Sequence, residues 1–142
     1  MPKWTLQEKP VDVSWTDEQW QAISLTGGNI LVAAAAGSGK TAVLVERIVK
    51  RVIDPDDEVE MDRLLVVTFT KAAAAEMKAR IGKRIEEELS VCPTPYLKRQ
   101  YRLLNRASIS TLHAFCSELI RAHYYEINVD PTIRLANDTE RE

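Results

Sequence analysis

Long apolar runs are missing from this sequence. No stretch approaches the roughly 20 residues that span a bilayer, and Met1 to Pro10 lacks the apolar segment of a secretory leader. A soluble, intracellular protein without a membrane span is expected. Cysteine is scarce: Cys92 and Cys116 stand alone, far apart and without metal-ligand spacing. This excludes a disulfide framework and predicts two free thiols in a reducing cytoplasm. Neither sign of charge dominates, since 19 Lys and Arg face 21 Asp and Glu, so any basic surface for nucleic acid has to be local. Repeats, low-complexity tracts and clear linkers are also absent. What is present is apolar material, 45% of 142 residues, enough for the core of one soluble, cytoplasmic domain.

The first residues, with Pro2, Pro10 and mixed charges, show no periodicity and are expected to form a flexible arm, 1–14, before a domain over 15–142. Thr16-Asp17-Glu18-Gln19 has the spacing of a capping box and opens a short helix ending near Ser24, before Gly27 and Gly28. The unbroken apolar run Asn29 to Ala34 predicts a buried strand. From Lys40 to Ile53, Leu44, Val45, Ile48, Val49 and Val52 recur at helical spacing. An acidic turn, Asp54 to Asp57, then leads to a second strand over 64–69. Met77, Ile81, Ile85 and Leu89 mark a longer helix from Ala72. A short helix with Leu97, Tyr101 and Leu104, a third strand at Ser108 to Ser110, and a last helix from Leu112 complete the pattern. The fold class this predicts is α/β, a parallel sheet flanked by helices.

Between the first strand and the first long helix stands Ala34-Ala35-Ala36-Gly37-Ser38-Gly39-Lys40-Thr41, the P-loop pattern with Ala in first place. Glycines at 37 and 39 let backbone N–H groups converge on phosphate oxygens, and the helix that follows adds its partial positive charge. Lys40 is then placed for the β- and γ-phosphates of ATP, and the Thr41 hydroxyl for Mg²⁺. A surface lysine after a glycine-rich turn is the bland alternative. Hydrolysis also needs an acidic residue at the end of another strand; the nearest, Asp54, precedes Pro55 and reads as a solvated turn, so the catalytic set is expected to be incomplete.

Ligands of open parallel sheets collect at the carboxyl ends of the strands. Two further ends carry polar residues, Thr68-Phe69-Thr70-Lys71 and Ser110-Thr111-Leu112-His113, and all three are expected on one edge. Hydroxyls, a lysine, helix N–H groups and an aromatic suit a single-stranded DNA backbone gripped without reading sequence. Taken singly, Thr70 and Thr111 read as helix caps, and Phe69 and Phe115 as core, the last more strongly. His113 forms no metal set with His123. Gln19 has two compatible uses, in the capping box and in bidentate pairing with adenine.

In order, these motifs resemble those of superfamily 1 DNA helicases. Trp15 to Gln19 resembles the Q motif, 34–41 motif I, Leu65 to Met77 motif Ia, and Ser110 to Cys116 the next DNA-contacting motif. Within that family the segments Val32 to Ala36 and Leu103 to Thr111 are most similar to AddA, the helicase-nuclease subunit that works with AddB on double-strand DNA ends. The resemblance implies a P-loop NTPase (RecA-like) sheet, the N-terminal part of helicase domain 1A. It also implies ATP- and Mg²⁺-driven 3′ to 5′ translocation on single-stranded DNA in break repair and recombination, and an AddB-like partner. Lys71 departs from motif Ia, which usually has Asn there. The acidic motif, second motor domain and nuclease of the family lie beyond Glu142, so this segment alone is expected neither to hydrolyse ATP nor to unwind DNA.

A motor-domain sheet without its later strands exposes edges and apolar helix faces. The 142-residue chain is therefore expected to self-associate, and light scattering that finds a stable monomer at high concentration overturns this.

Overall fold

The computed structural model describes residues 4–35, 37–57, 59–130 and 132. Helix α1, Asp17–Ser24, begins with the predicted box: the Thr16 hydroxyl accepts from Gln19 N, and the Gln19 side chain accepts from Thr16 N. Helix α2, Lys40–Ile53, follows. Its apolar face divides in two. Val43 packs with Trp20 and Ile23 of α1, whereas Val45, Ile48, Val49 and Val52 enter the main core. Leu44, expected in that core, is 39% exposed; α1 lies along the flank of α2 and so covers Val43 instead.

The main core is closed by α3, Lys71–Val91, which contributes Met77, Ile81 and Ile85, and by α4, Pro95–Leu103, with Leu97 and the following Leu104. The two helices come close at Gly82, where a Cβ would lie 3.2 Å from Leu104 Cδ2. A short 3-10 turn, Met61–Arg63, is tied to α4 through buried Gln100, whose Oε1 accepts from Met61 N at 2.9 Å. Arg84 of α3 reaches Glu46 of α2 at 3.0 Å.

Strands β1, Leu65–Thr68, and β2, Ser108–Thr111, pair in parallel with α3 and α4 as their crossover. The register runs from Leu65 opposite Ser108 to Thr68 opposite Thr111. Val66 faces the core, and Leu65 and Val67 point away. Helix α5, Leu112–Ala122, packs on β2 and buries none of its residues fully. Phe115, expected in the core, is only half-buried.

The expected strand at Asn29 to Ala34 is not formed: residues 29–35 belong to no ladder, and Leu31 is 96% exposed. An apolar run becomes a strand only beside a neighbour that pairs its backbone groups, and β1 and β2 pair with each other. The sheet is therefore two-stranded among the described residues, and the segment that leads into the turn at Gly37 and Gly39 lies outside it.

The N-terminal arm makes contacts that its composition does not signal. Thr5 and Thr26 exchange backbone hydrogen bonds of 3.1 and 2.9 Å. Trp20 Nε1 donates to Gln7 O at 2.8 Å, and Lys9 pairs with Asp17. The Trp4 ring lies over Gly28 so closely that a Cβ there would come within 2.6 Å of it.

The acidic turn after α2 is not simply solvated. Arg51 donates two hydrogen bonds to the Asp57 carboxylate, at 2.8 and 3.0 Å. Those bonds hold the Asp57 carboxyl below its ordinary range, while partial burial opposes them. A depressed folded-state value means that the stabilisation is complete above the unfolded value of about 4 and is lost as the pH falls through the folded value. Both side chains are about one-third exposed, so the effect is at most about 1 kcal/mol. Asp57→Asn is expected to flatten this part of the acid limb in urea unfolding followed below about pH 4; an acid limb as steep as that of the parent refutes the pairing.

Candidate functional site

Four of the five helices among the described residues start under a threonine side chain: Thr16, Thr70, Thr94 and Thr111. Helix α2 differs. Its N-cap is Gly39, which offers no side-chain acceptor to the first N–H groups. Gly39 and Gly37 have φ of +79° and +77°, the left-handed region where a Cβ is strained. The chain thus turns sharply into α2 with its helix dipole and N–H groups uncapped by protein side chains, the local arrangement that receives an anion.

Beside this turn lies a cleft of about 520 Å³, lined by Thr16, Gln19, Val32, Ala34, Ser38 and Lys40 among others. Its size suits a small-molecule ligand. Lys40 Nζ folds back onto the carbonyls of Ala34 and Ala35, at 2.7 and 2.8 Å. Thr41 is the second residue of α2 and is exposed. Ala36 lies outside the described residues.

Gln19 reaches the loop directly: Nε2 donates to Ser38 O at 3.2 Å, while Oε1 serves the capping box at 3.0 Å. A primary amide has two hydrogens and two lone pairs. One of each is used in these bonds, so one of each is left for a base edge. The count of hydrogens and lone pairs thus leaves room for both uses of Gln19 read from sequence.

The other two strand ends are neighbours, because Thr68 pairs with Thr111. The Thr70 and Thr111 hydroxyl oxygens accept from Ala73 N and Ala114 N, at 3.0 and 3.2 Å. Both are caps, and each keeps its hydroxyl hydrogen for another acceptor. Thr68 differs, since its hydroxyl donates to Thr70 O at 3.0 Å and its one hydrogen is engaged. Phe69 is fully exposed at 103%, which removes the core reading for it. Lys71, Thr111 and His113 line a shallow depression with Ser117, Glu118 and Arg121. Of the three strand ends expected on one edge, the ladder joins these two; the expected end at Ala34 belongs to no strand.

Arg47 was legible only as a charge on the polar face of α2. One of its guanidinium nitrogens donates to Ala22 O, Ile23 O and Leu25 O, at 2.8, 3.2 and 2.8 Å. Burial and then Arg51 lower its pKa from the ordinary arginine value, while Asp57 opposes them. The available signal was the absence of any basic residue in the last turn of α1, whose carbonyls favour a cation.

Residues 15–142 match the family model described as UvrD/REP helicase N-terminal domain. The chain belongs to this family. Among relatives of this UvrD/REP helicase segment is a protein of Geobacillus thermodenitrificans (strain NG80-2) named as an ATP-dependent helicase/nuclease subunit, 60% identical over 139 residues, 97% of this chain and 11% of that protein. Proteins with the same name from Listeria welshimeri and Bacillus licheniformis are 59% and 60% identical over 95% and 94% of the chain. The chain spans 11% of the length of each of these relatives.

In the UvrD/REP segment the cap roles have a direct check. Thr70→Ala and Thr111→Ala are each expected to lower unfolding stability by about 1 kcal/mol, and Thr→Ser at either position to restore most of it. Urea titrations that give the alanine variants the stability of the parent rule the caps out.

Proposed function

We propose that this chain is the ATP- and single-stranded-DNA-binding front of an ATP-dependent helicase/nuclease subunit, with a P-loop NTPase sheet as its complete fold. The observation that carries this reading is the convergence of the glycine turn, the side-chain-free start of α2 and the Gln19 amide on one cleft. The names of the relatives favour a helicase-nuclease over a helicase without a nuclease. In this reading the whole protein acts at double-strand DNA ends in repair and recombination, with an AddB-like partner, in the cytoplasm.

In this reading Gln19 pairs with the adenine edge through its remaining hydrogen and lone pair. Residues 34–39 wrap the phosphates with backbone N–H groups. Lys40 leaves the carbonyls of Ala34 and Ala35 and moves its charge onto the β- and γ-phosphates. The exposed Thr41 hydroxyl, on the first turn of α2, fits a hard cation that takes oxygen ligands. When bound, Mg²⁺ neutralises charge on the phosphate oxygens. DNA lies along the paired strand ends. Thr70 and Thr111 donate their free hydroxyl hydrogens to phosphates, Lys71 and His113 add local polar contacts, and exposed Phe69 stacks a base. Thr68 has the weakest claim, because its hydroxyl already donates to Thr70.

Binding of MgATP and MgGTP by the chain, with and without an oligothymidylate, tests this. Saturable ATP binding is expected, and Lys40→Ala is expected to weaken it roughly tenfold to a hundredfold, the loss of a charge-assisted hydrogen bond. Oligothymidylate affinity is expected to fall with added salt. A parent chain that does not saturate with ATP, or an alanine variant that binds as well as the parent, refutes the nucleotide site.

A further inference from the structure

Helix α1 has eight residues, too few to hold an orientation by itself, so its placement depends on what grips it. Trp20 and Ile23 pack on Val43, and Lys50 lies 5.1 Å from the centroid of the Trp20 ring. Apolar packing is non-directional and leaves the helix free to slide or tilt over a small range. The directional hold at its C-terminal end is Arg47, bonded to three carbonyls that α1 has no basic residue of its own to serve. Arg47 stands seven residues after Lys40, close to two full turns, and so on the same side of α2. The helix that starts at the phosphate loop therefore also clamps the helix that carries Gln19.

We propose that Arg47 is a positioning residue for base selection: its grip on the end of α1 sets where the Gln19 amide stands beside the loop, and with it the preference for adenine nucleotides. This rests on the nucleotide reading above. Arg47 borders the same cleft, but its Nη1 is spent on the three carbonyls of α1, so in this role it acts through Gln19. Without it α1 is held to α2 by packing and the Lys50 ring contact, its bonds of Trp20 with Gln7 and of Asp17 with Lys9 reaching only the N-terminal arm, and the Gln19 amide loses its fixed distance from Ser38 O, 3.2 Å. Phosphate binding through the glycine turn and Lys40 does not pass through α1 and is left intact.

The experiment measures dissociation constants for MgATP, MgGTP and magnesium tripolyphosphate, which has no base, in the parent chain, Arg47→Met, Arg47→Lys, Gln19→Ala and the double variant Gln19→Ala/Arg47→Met. The parent is expected to prefer ATP over GTP. Arg47→Met should lower that preference roughly threefold to tenfold, the scale of a hydrogen bond lost from its best geometry, with tripolyphosphate affinity unchanged. Arg47→Lys, which keeps a cation near the carbonyls, should restore part of it. In the Gln19→Ala background, Arg47→Met should lower it no further. Unchanged preference in Arg47→Met overturns the proposal, as does an equal loss for ATP, GTP and tripolyphosphate, the mark of a merely structural role. If Arg47→Met does not fold, the lysine variant decides: an intermediate preference supports the proposal and a parental one overturns it. A parent chain with no preference for ATP removes the adenine reading of Gln19 and this proposal with it, whereas a selective parent with an indifferent Arg47→Met removes this proposal alone.

Discussion

Helix α2 is packed on two sides at once, and the rest of the molecule is arranged around that constraint. Val49 and Val52 are wholly buried, committed to the core that α3 and α4 close. One flank away, Val43 holds α1 through Trp20 and Ile23. A helix seated in two apolar clusters cannot rotate without uncovering one of them, and the cost of exposing buried Val or Ile side chains is roughly 1.5–3 kcal/mol each. The direction in which Lys40 and Thr41 leave the first turn of α2 is thus set by contacts up to three turns away. The glycine turn supplies local geometry; the valines supply its orientation.

Polar contacts add direction to this packing. The Glu46–Arg84 pair joins α2 to α3, and Arg47 joins α2 to α1. Consecutive residues on one helix therefore reach opposite neighbours. Both contacts are part-buried, and beyond any stability they add their value is angular: they fix which carboxylate or carbonyl faces which guanidinium.

What could be read from the sequence was whatever local chemistry decides. The capping box at Thr16 and Gln19, the span of α2, the long helix after Thr70 and the strand before Thr111 follow from spacing and side-chain type, and each formed. The errors arose where a neighbour decides. Asn29 to Ala34 has the composition of a buried strand but no partner strand beside it. Leu44 and Val43 exchanged places because the flank of α2 is covered by α1, which periodicity within α2 cannot reveal. Phe115 lies on a helix whose main packing is against β2. At the site, the glycine turn and the two threonine caps were visible as motifs, whereas Arg47 was not, because its partners are backbone carbonyls with no side-chain identity to read.

The register of the two strands acts as a ruler. Thr68 stands opposite Thr111 because Val66 and Ile109, also paired, both turn toward the core. A slip of one residue would turn Val66 out into water and displace one strand along the other by about 3.3 Å. Helix α5 begins directly after Thr111, while α3 begins after two further residues, Phe69 and Thr70. The spacing between these two helix starts is therefore graduated by a buried valine that itself faces away from solvent, and an exposed edge inherits its pitch from the hydrophobic core.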